Sequence, residues 1–481
     1  MTHAALLALT LLPQEAAGPI AEPSAPDVDW AAQGRAAIEA RAQITPNDGP
    51  ARNVVLMIAD GMDVATITAG RILAGQRAGG TGEEHVLNLE TLPHTALIKT
   101  YNVDSQVPDS AGTATALLSG RKTRLGVVNV DASVARGDCD GARGRRLSTL
   151  ADTAASLGKA TGVVTTARLT HATPASVYAS SPDRDWESDR DVPARARCKD
   201  IARQLIDRAD ALNLEVALGG GARAFLPPEG GGGRGDGRDL TAAWRKEGGS
   251  VVRTAAELDA APDGPVLGLF ADSHMDYEAD RTDQPSLAVM SRAAIERLRE
   301  DEDGFFLVIE GGRVDHGHHA GNAARALGDL IAFDEAVRAV LDSVSTDDTL
   351  VLVTSDHGHT MTIQGYPRRG NPVLGIVNSN VEGGHEPVRA ADGAPYSTLA
   401  YANGPGALWM RRPDEGRPPV TDEMSQDVDY RQQSAIPAGS ETHGGQDVPA
   451  FAVGPQAWLV GGVLEQNALY FVIDRAIRTG G

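Results

Sequence analysis

The sequence is short of positive charge and of long apolar runs, and each of these two shortages excludes a class of protein. Its 44 Lys and Arg residues face 65 Asp and Glu residues, which gives a formal net charge of −21. The chain therefore lacks the basic surface that a nucleic-acid-binding protein needs. The apolar stretch at residues 4–12 is too short to cross a bilayer. Because the overall charge repels anions at long range, a site for an anion must supply its own positive charge.

Residues 4–12 are typical of the apolar part of a secretory signal, although no Lys or Arg precedes them. A true start upstream of Met1 would explain that shortage. We therefore interpret residues 1–25 as a leader segment and expect a periplasmic or secreted protein. Membrane attachment is not indicated.

The chain also lacks the pattern of a phosphate-binding P-loop. Its Gly-rich stretch, residues 229–238, has no strand-to-helix pattern around it and no Lys-Ser or Lys-Thr pair with it. We interpret this stretch as a flexible loop.

Several short apolar runs with β-branched residues lead into side chains that bind metal ions. Continuous apolar runs predict strands that are buried on both faces, and therefore a parallel sheet covered by helices. Ligands of such sheets gather beyond the carboxyl ends of the strands, so these side chains are expected to meet at one rim. They are Asp60, His171, Glu310, Asp356 and His357.

A histidine-rich segment follows the strand that ends at Glu310. Asp315 and His319 are four residues apart, so a helical turn would place both on one face, where they could grip one ion. A solvated histidine-rich loop is the alternative. Carboxylate with imidazole suits zinc, whereas all-oxygen sets suit magnesium. Four carboxylates at one rim would also repel one another strongly unless cations accompany them.

Residues 108–120 predict a helix that begins at a candidate nucleophile. Pro108 and Asp109 introduce Ser110, a run rich in Ala and Leu follows, and Gly120 ends it. Ser110 would lie in the first turn, where free backbone N–H groups and the helix dipole stabilise a phosphate or sulfate. Since Ser and Asp are also common N-cap residues, an ordinary helix start is the alternative.

Together these motifs closely resemble the alkaline phosphatases, which carry them in the same order along the chain. The motifs are Asp60 after its strand, Asp109-Ser110-Ala111, Glu310 through His319, Asp356-His357, and His443 within residues 441–445. The resemblance runs from about residue 50 to about residue 475. It leans toward the animal-type branch, because residues 365–370 and 430–435 are similar to that branch.

The resemblance implies an α/β fold, a three-layer sandwich in which a large, mostly parallel sheet is flanked by helices. We expect a catalytic domain at residues 26–475, with residues 360–440 as a crown-like insertion within it. The family also joins two subunits through the region that corresponds to residues 29–43, so a homodimer is expected. By its own pattern this region is a weakly amphipathic helix, which could lie on its own domain or face a partner.

The resemblance further implies hydrolysis of phosphate monoesters through a phosphoserine at Ser110, on two zinc ions and one magnesium ion. The implied ligands are Asp315, His319 and His443 for the first zinc, Asp60, Asp356 and His357 for the second, and Asp60, Thr173 and Glu310 for magnesium. The first zinc would accept the leaving oxygen, and the second would lower the pKa of Ser110. Cobalt or manganese could substitute for zinc.

Arg184 is the expected substrate-binding residue, together with Ser110 and its neighbour Asp109. The family places an arginine at this distance beyond the magnesium-binding Thr, and Arg184 matches it. A guanidinium binds two phosphate oxygens at once with a rigid fork, which Lys cannot imitate.

Four further histidines lie near these motifs. His171 and His316 stand where animal-type enzymes have histidines and are expected to support the metal ligands from behind. His318 and His359 have no assigned role, and we expect structural ones.

The two cysteines are Cys139 and Cys198. In an exported protein a lone pair favours a disulfide, and the animal-type enzymes carry a bridge in this place. Two buried free thiols are the alternative.

Animal-type relatives also bind calcium, in a side region that corresponds to residues 229–238 and 269–272. Here Ala271 stands where those relatives have an acid, and Gln284 replaces another. These departures argue against a calcium site.

Two other functions compete with monoester hydrolysis. Sulfatases and phosphodiesterases use a similar metal frame, but the Cys- or Ser-x-Pro-x-Arg motif of sulfatases is absent around Ser110. Diesterases usually have a Thr nucleophile and lack an arginine at the position of Arg184. A non-catalytic metal- or phosphate-binding protein would show a replaced Ser110 or a broken ligand, and all of these residues are intact.

Overall fold

Strands and helices alternate along most of the chain in the computed structural model, which describes residues 29–381, 386–407 and 416–478. The strands are β1 (Asn53–Ala59), β2 (His94–Lys99), β3 (Ala160–Arg168), β4 (Leu214–Gly220), β5 (Ser250–Val252), β6 (Val266–Leu269), β7 (Phe305–Gly311), β8 (Thr349–Thr354), β9 (Gly358–His359), β10 (Met361–Ile363), β11 (Leu399–Gly404), β12 (Ser434–Pro437), β13 (His443–Gly444), β14 (Val448–Val453) and β15 (Gly462–Glu465). The predicted leader segment lies outside the described residues.

The helices fall between these strands. They are α1 (Trp30–Ala42), α2 (Val64–Arg77), α3 (Ser110–Ser119), α4 (Leu150–Ser156), α5 (Ala172–Tyr178), α6 (Ile201–Arg208), α7 (Ala222–Phe225), α8 (Leu240–Lys246), α9 (Ala255–Asp259), α10 (Leu287–Leu298), α11 (Arg313–His319), α12 (Ala323–Ser343), α13 (Asp422–Gln426) and α14 (Ala468–Arg478).

A ten-stranded sheet forms the centre, in the order β15-β2-β14-β8-β1-β7-β3-β4-β6-β5. Only β14 runs antiparallel to its two neighbours, and the other adjacent pairs are parallel. The predicted α/β fold with a large, mostly parallel sheet is therefore confirmed.

Strand β1 shows why the sheet needs helices on both faces. Side chains alternate between the two faces of a strand. Leu56 belongs to one apolar cluster with residues of α3, α4, α5 and α14, whereas Met57 belongs to another with residues of α2, α10 and α12. Both side chains are fully buried. Each face of β1 thus packs on its own helical layer, which completes the three-layer sandwich.

Helix α14 docks on the core through the stripe that its sequence pattern indicates. Its buried side chains are Leu469, Val472, Ile473, Ala476 and Ile477. They lie three or four residues apart, so they share one helix face.

The register of the central strands brings the predicted rim together. Ile58 of β1 pairs with Glu310 of β7 on one side and with Thr354 of β8 on the other. Asp60 and Asp356 follow two residues after these positions. Since the three strands are parallel, their acid-bearing ends lie side by side.

Two small sheets stand outside the main one. Strands β10, β11 and β12 form a three-stranded sheet within residues 361–437, inside the predicted insertion. Strand β13 pairs with β9, which sets His443 opposite His359. The bounds proposed for the crown, residues 360–440, stay a prediction.

Helix α1 lies within the predicted span of residues 29–43, begins after the N-cap Asp29 and has no buried residue. Trp30 and Ile38 are 56% and 68% exposed. The interpretation that this helix packs on its own domain therefore has no burial to support it. The partner-facing role of this helix stays a prediction.

Cys139 and Cys198 form a disulfide, so the bridge is confirmed and the alternative of free thiols is wrong. Replacing both cysteines by serine is expected to lower the free energy of unfolding by about 4 kcal/mol, because the bridge joins residues 59 apart in the chain. Urea unfolding of the oxidised protein and the double variant measures the difference. The reduced wild-type protein, as control, should match the variant, and equal stability of all three would contradict the prediction.

Candidate functional site

Ser110 is the first residue of helix α3, and Asp109 caps that helix. The Asp109 carboxylate accepts hydrogen bonds from the Gly112 N–H at 3.1 Å and from the Asn102 amide at 3.0 Å. The helix ends at Gly120, which adopts a left-handed conformation with φ of 69° that glycine tolerates. The predicted helix is therefore confirmed, and its N-terminus presents the Ser110 hydroxyl at the rim.

The first candidate metal group lies directly against Ser110. Its Oγ is 3.2 Å from His357 Nε2. The same ring nitrogen is 3.4 Å from Asp60 Oδ1 and 3.2 Å from Asp356 Oδ2. Asp60, Asp356 and His357 are fully buried, and their ligand atoms lie within 4.8 Å of one another. Three of the predicted ligands thus converge beside the candidate nucleophile.

A second group forms around Asp315, where the predicted helical turn of α11 is present. Asp315 Oδ1 is 3.2 Å from His319 Nε2 and 3.4 Å from His443 Nε2, and the two nitrogens are 3.1 Å apart. The outer nitrogen of His319 bonds the Glu441 carbonyl at 2.6 Å, which leaves Nε2 free to bind an ion. His443 is held in the same way by the carbonyl of Pro108 at 2.7 Å.

A third group lies behind Asp60. Ligand atoms of Asp60, His171 and Glu310 are within 4.8 Å of one another, and Thr173 neighbours Glu310. Thr165 donates a short hydrogen bond to Glu310 Oε2. The structure therefore brings the three predicted magnesium ligands together and adds His171 to them.

Several buried atoms of these groups have no hydrogen-bond partner, which tests whether the residues fit cations. The atoms are Asp60 Oδ1 and Oδ2, Asp356 Oδ2, Glu310 Oε1 and Thr173 Oγ1. Leaving buried carboxylate oxygens unpaired costs several kcal/mol unless a cation is present. All five are oxygens, which are ligands that zinc and magnesium accept. The donor set therefore fits the implied ions.

The electrostatics of the rim agree with this conclusion. Burial, and then the neighbouring carboxylates, raises the pKa of Asp60 well above its usual range. Burial also raises the pKa of Glu310 to about 8. Asp315 behaves differently, because burial is outweighed by His319, His359 and His443 together, which hold the pKa of Asp315 well below its usual range. Without metal ions, the repulsion between the buried carboxylates of the rim is not compensated, and bound cations would neutralise it.

Arg184 lies at the edge of the same site, 75 residues from its partner Asp109 in the chain. Its Nη1 donates to Asp109 Oδ2 at 3.0 Å, and its Nη2 donates to His171 Nε2 at 3.0 Å. Asp109 therefore acts twice, as helix cap and as orienting carboxylate for the guanidinium. Because Asp109 directly precedes Ser110 in the chain, its bond to Arg184 holds the guanidinium near the candidate nucleophile.

His359 and Glu441 are site residues that sequence reasoning missed or misread. His359 Nε2 bonds Asp315 Oδ1 at 2.8 Å, and its Nδ1 bonds Glu441 Oε2 at 2.6 Å. Thr360 donates to the other Glu441 oxygen from both its N–H and its hydroxyl, at 2.7 and 2.6 Å. Burial acts against it, but Glu441 and Asp315 raise the pKa of His359 to about 10. His359 therefore orients Asp315, a candidate metal ligand.

A spacing signal could have found both residues. His359 lies two residues after His357, and Glu441 lies two residues before His443. Residues two apart in an extended segment share a face. His318 differs, because its ring bonds Tyr401 at 2.9 Å and Thr66 at 3.2 Å, away from the candidate ligands.

His316 contacts Arg313 and lies near His171. His316 Nδ1 accepts from Arg313 Nη1 at 3.1 Å, and its ring centroid lies 5.6 Å from that of His171.

In the side region where animal-type relatives bind calcium, the Gln284 amide is bonded to Asp276, with Nε2 donating to Oδ2 at 3.0 Å. The absence of calcium stays a prediction.

Comparison with known proteins identifies what this arrangement is similar to. A family model described as "Alkaline phosphatase" matches residues 51–479. The tissue-nonspecific alkaline phosphatase of Gallus gallus is 42% identical over 445 residues, 88% of this chain and 83% of that protein. The membrane-bound alkaline phosphatase of Bombyx mori is 41% identical over 468 residues, 91% of this chain and 83% of that protein. The crystal structure of Thermus thermophilus alkaline phosphatase superposes with a TM-score of 0.64 and 27% identity, over 94% of this chain and 96% of that one.

Proposed function

This chain belongs to the alkaline phosphatase family, whose members are phosphoric monoester hydrolases, and on that premise we propose that it works through a phosphoserine at Ser110 on two zinc ions and one magnesium ion. The observation that carries this proposal is the position of Ser110 Oγ, 3.2 Å from His357 Nε2. The nucleophile thus touches a buried group whose carboxylate oxygens lack partners.

The three groups at the rim support an assignment of the metal ligands. Asp315, His319 and His443 would hold one zinc ion, Asp60, Asp356 and His357 the other, and Asp60, Thr173 and Glu310 the magnesium ion. When bound, these cations would neutralise phosphate charge and lower the pKa of oxygens bound to them.

The protein's own residues supply positioning and the nucleophile. Ser110 Oγ forms a bond to phosphorus while the ester P–O bond breaks, and the leaving alcohol takes up a proton. Arg184 binds two of the phosphoryl oxygens with its fork. Water then breaks the bond between phosphorus and Oγ, which releases inorganic phosphate and restores Ser110. Because the phosphoryl group is already anionic, positioning and charge neutralisation carry most of the catalysis.

Removal of metal is expected to abolish hydrolysis of p-nitrophenyl phosphate. Exhaustive chelation should lower the rate by at least about 100-fold, because the cations and the protein ligands act as one unit. Adding back zinc with magnesium should restore the rate, and zinc alone should restore less. Metal analysis of each sample is the control. A metal-free sample that keeps its activity would refute the metal assignment.

The same assay with bis(p-nitrophenyl) phosphate distinguishes the second candidate function, a phosphodiesterase. Ser110 together with Arg184 favours the monoester, since a monoester offers two free phosphoryl oxygens to the guanidinium fork and a third to the cations, whereas a diester has only two and carries less charge. Hydrolysis of the diester but not of the monoester would reverse the assignment.

We also propose export from the cytoplasm and a homodimer. The exposed apolar side chains of α1 support the dimer, and so does Tyr366, which is 85% exposed. Among the described residues, no helix has both the length and the apolar character needed to cross a membrane.

A further inference from the structure

A wall of three half-buried histidines extends outward from Arg184. The ring centroids of His171 and His274 are 5.4 Å apart, those of His171 and His316 are 5.6 Å apart, and those of His274 and His316 are 4.1 Å apart. We call His171, His274 and His316 the histidine wall. His274 lies in the loop after β6, and the catalytic mechanism above does not use it.

An arginine guanidinium faces each of the two inner rings of the wall. Arg184 Nη2 donates to His171 Nε2 at 3.0 Å, and Arg313 Nη1 donates to His316 Nδ1 at 3.1 Å. A neutral imidazole that accepts at one nitrogen carries its proton on the other. His316 therefore presents Nε2–H, and no protein acceptor for it occurs within the described parts of the chain.

His274 meets more donors than a neutral ring can accept. Its Nδ1 faces the backbone N–H of Arg168 at 3.3 Å, and its Nε2 contacts Nη1 of the same arginine. One of the two ring nitrogens must carry the proton, so one pair of N–H donors faces each other without an acceptor. Burial, and then the neighbouring His316 and Arg168, lowers the pKa of His274, which agrees with a neutral ring. The N–H that is left without an acceptor is therefore open to an anionic oxygen beside the ring.

The charge around His274 and His316, the two rings of the wall outside the candidate metal groups, favours an anion over a cation. Arg168 is neutralised by Glu187, with its Nε donating to Oε2 at 2.7 Å. Arg313, by contrast, stacks on Tyr277 at 3.7 Å, and no carboxylate within the described residues pairs with it. Its Nε is buried and has no acceptor. Lone pairs that are occupied by guanidinium donors cannot also bind a metal ion.

We propose that the histidine wall, with Arg313, binds a second phosphate group of the substrate while Arg184 holds the phosphate that is cleaved. The inference rests on the proposed function, because it needs Arg184 at the reacting group. The preferred substrates are then monoesters that carry a second phosphate at the far end of a short spacer. His171 bonds Arg184 and stands between it and the other two rings, so the spacer must reach past one imidazole.

The test compares alkanediol bisphosphates of increasing length with the alkyl monophosphates of equal length, with kcat/KM counted per phosphate. In the wild-type protein the bisphosphate is expected to be about tenfold better at one spacer length, which is the worth of one or two charge-assisted hydrogen bonds. His274→Leu and His274→Asn should both bring this ratio close to one. His94→Leu, a histidine replaced at the start of β2, should keep the wild-type ratio.

A binding measurement on the wild-type protein makes the test independent of the variants. A bisphosphonate of the preferred length should inhibit about tenfold more strongly than the matching phosphonate. Ratios near one at every length, in both assays, would overturn the subsite while leaving Ser110-dependent monoester hydrolysis intact. A wild-type ratio that persists in both His274 variants would overturn the role of the wall. If neither ester class is hydrolysed, the proposed function itself fails.

Discussion

Ser110→Ala is expected to lower kcat/KM for p-nitrophenyl phosphate by about 10⁴-fold or more, because the variant has no oxygen to form the phosphoenzyme. Fold and metal content should not change, since the alanine side chain keeps the helix start and the cap at Asp109. Residual activity would come from Arg184 and the bound cations, which still position the ester and water.

The matched control for this variant lies at the other end of the same helix. Ser119 is also buried, and its hydroxyl bonds the Thr115 carbonyl at 2.7 Å. Ser119→Ala should keep nearly full activity. Acid quenching of the working wild-type enzyme should trap phosphate on the peptide that contains Ser110 and on no peptide of the Ser110→Ala variant. An active Ser110→Ala protein, or phosphate trapped on another residue, would show that the nucleophile has been misassigned.

Asp60→Asn is expected to have the second largest effect on activity, a loss of about 10³-fold or more, because Asp60 belongs to two of the candidate metal groups. The asparagine keeps the shape of the side chain but removes its charge and one acceptor oxygen. Metal analysis should show lower occupancy at the rim.

The same variant makes a prediction of opposite sign for stability. In the metal-free protein nothing compensates the repulsion between Asp60, Asp356 and Glu310. Burial, and then this repulsion, raises the pKa of Asp60. Removing one charge should therefore raise the unfolding temperature without metal and lower it with metal. Calorimetry in chelator and in zinc with magnesium measures both shifts.

Asp334→Asn is the control for this stability test. Asp334 is another buried aspartate, and it accepts from the backbone N–H groups of Asn88 and Leu89 at 2.9 Å, outside the candidate metal groups. Its replacement should lower the unfolding temperature equally with and without metal. If Asp60→Asn behaves in the same way, Asp60 is a structural carboxylate and does not bind an ion.

An acidic protein can still act on anionic substrates, because the charge close to the site differs from the overall charge of the chain. A formal charge of −21 repels phosphate esters at long range. Near Ser110, however, the cations at the rim and the guanidinium of Arg184 would reverse the local sign. Arg313 adds a second guanidinium beside the histidine wall, so the approach of a substrate depends on groups close to the site.

The sheet, its buried strands and the rim of acids follow from local patterns in the amino-acid sequence. Residues 54–59, 305–309 and 350–353 are continuous apolar runs, and such runs are typical of strands that are covered on both faces. Because parallel strands present their carboxyl ends at one edge, Asp60, Glu310 and Asp356 had to become neighbours there. The start of α3 at Ser110 is equally local, since a cap and a small-residue run suffice to predict it.

Which distant side chains support these residues depends on how the chain folds back on itself. The bond between His359 and Glu441 joins residues 82 apart, and the bond between Arg184 and Asp109 joins residues 75 apart. The contact of His274 with His316 likewise joins the loop after β6 to helix α11. No local periodicity encodes such pairs, because they depend on where each loop returns to the rim after the sheet has formed. The fold follows from the burial of apolar runs, whereas the orientation of the site follows from the return of the loops.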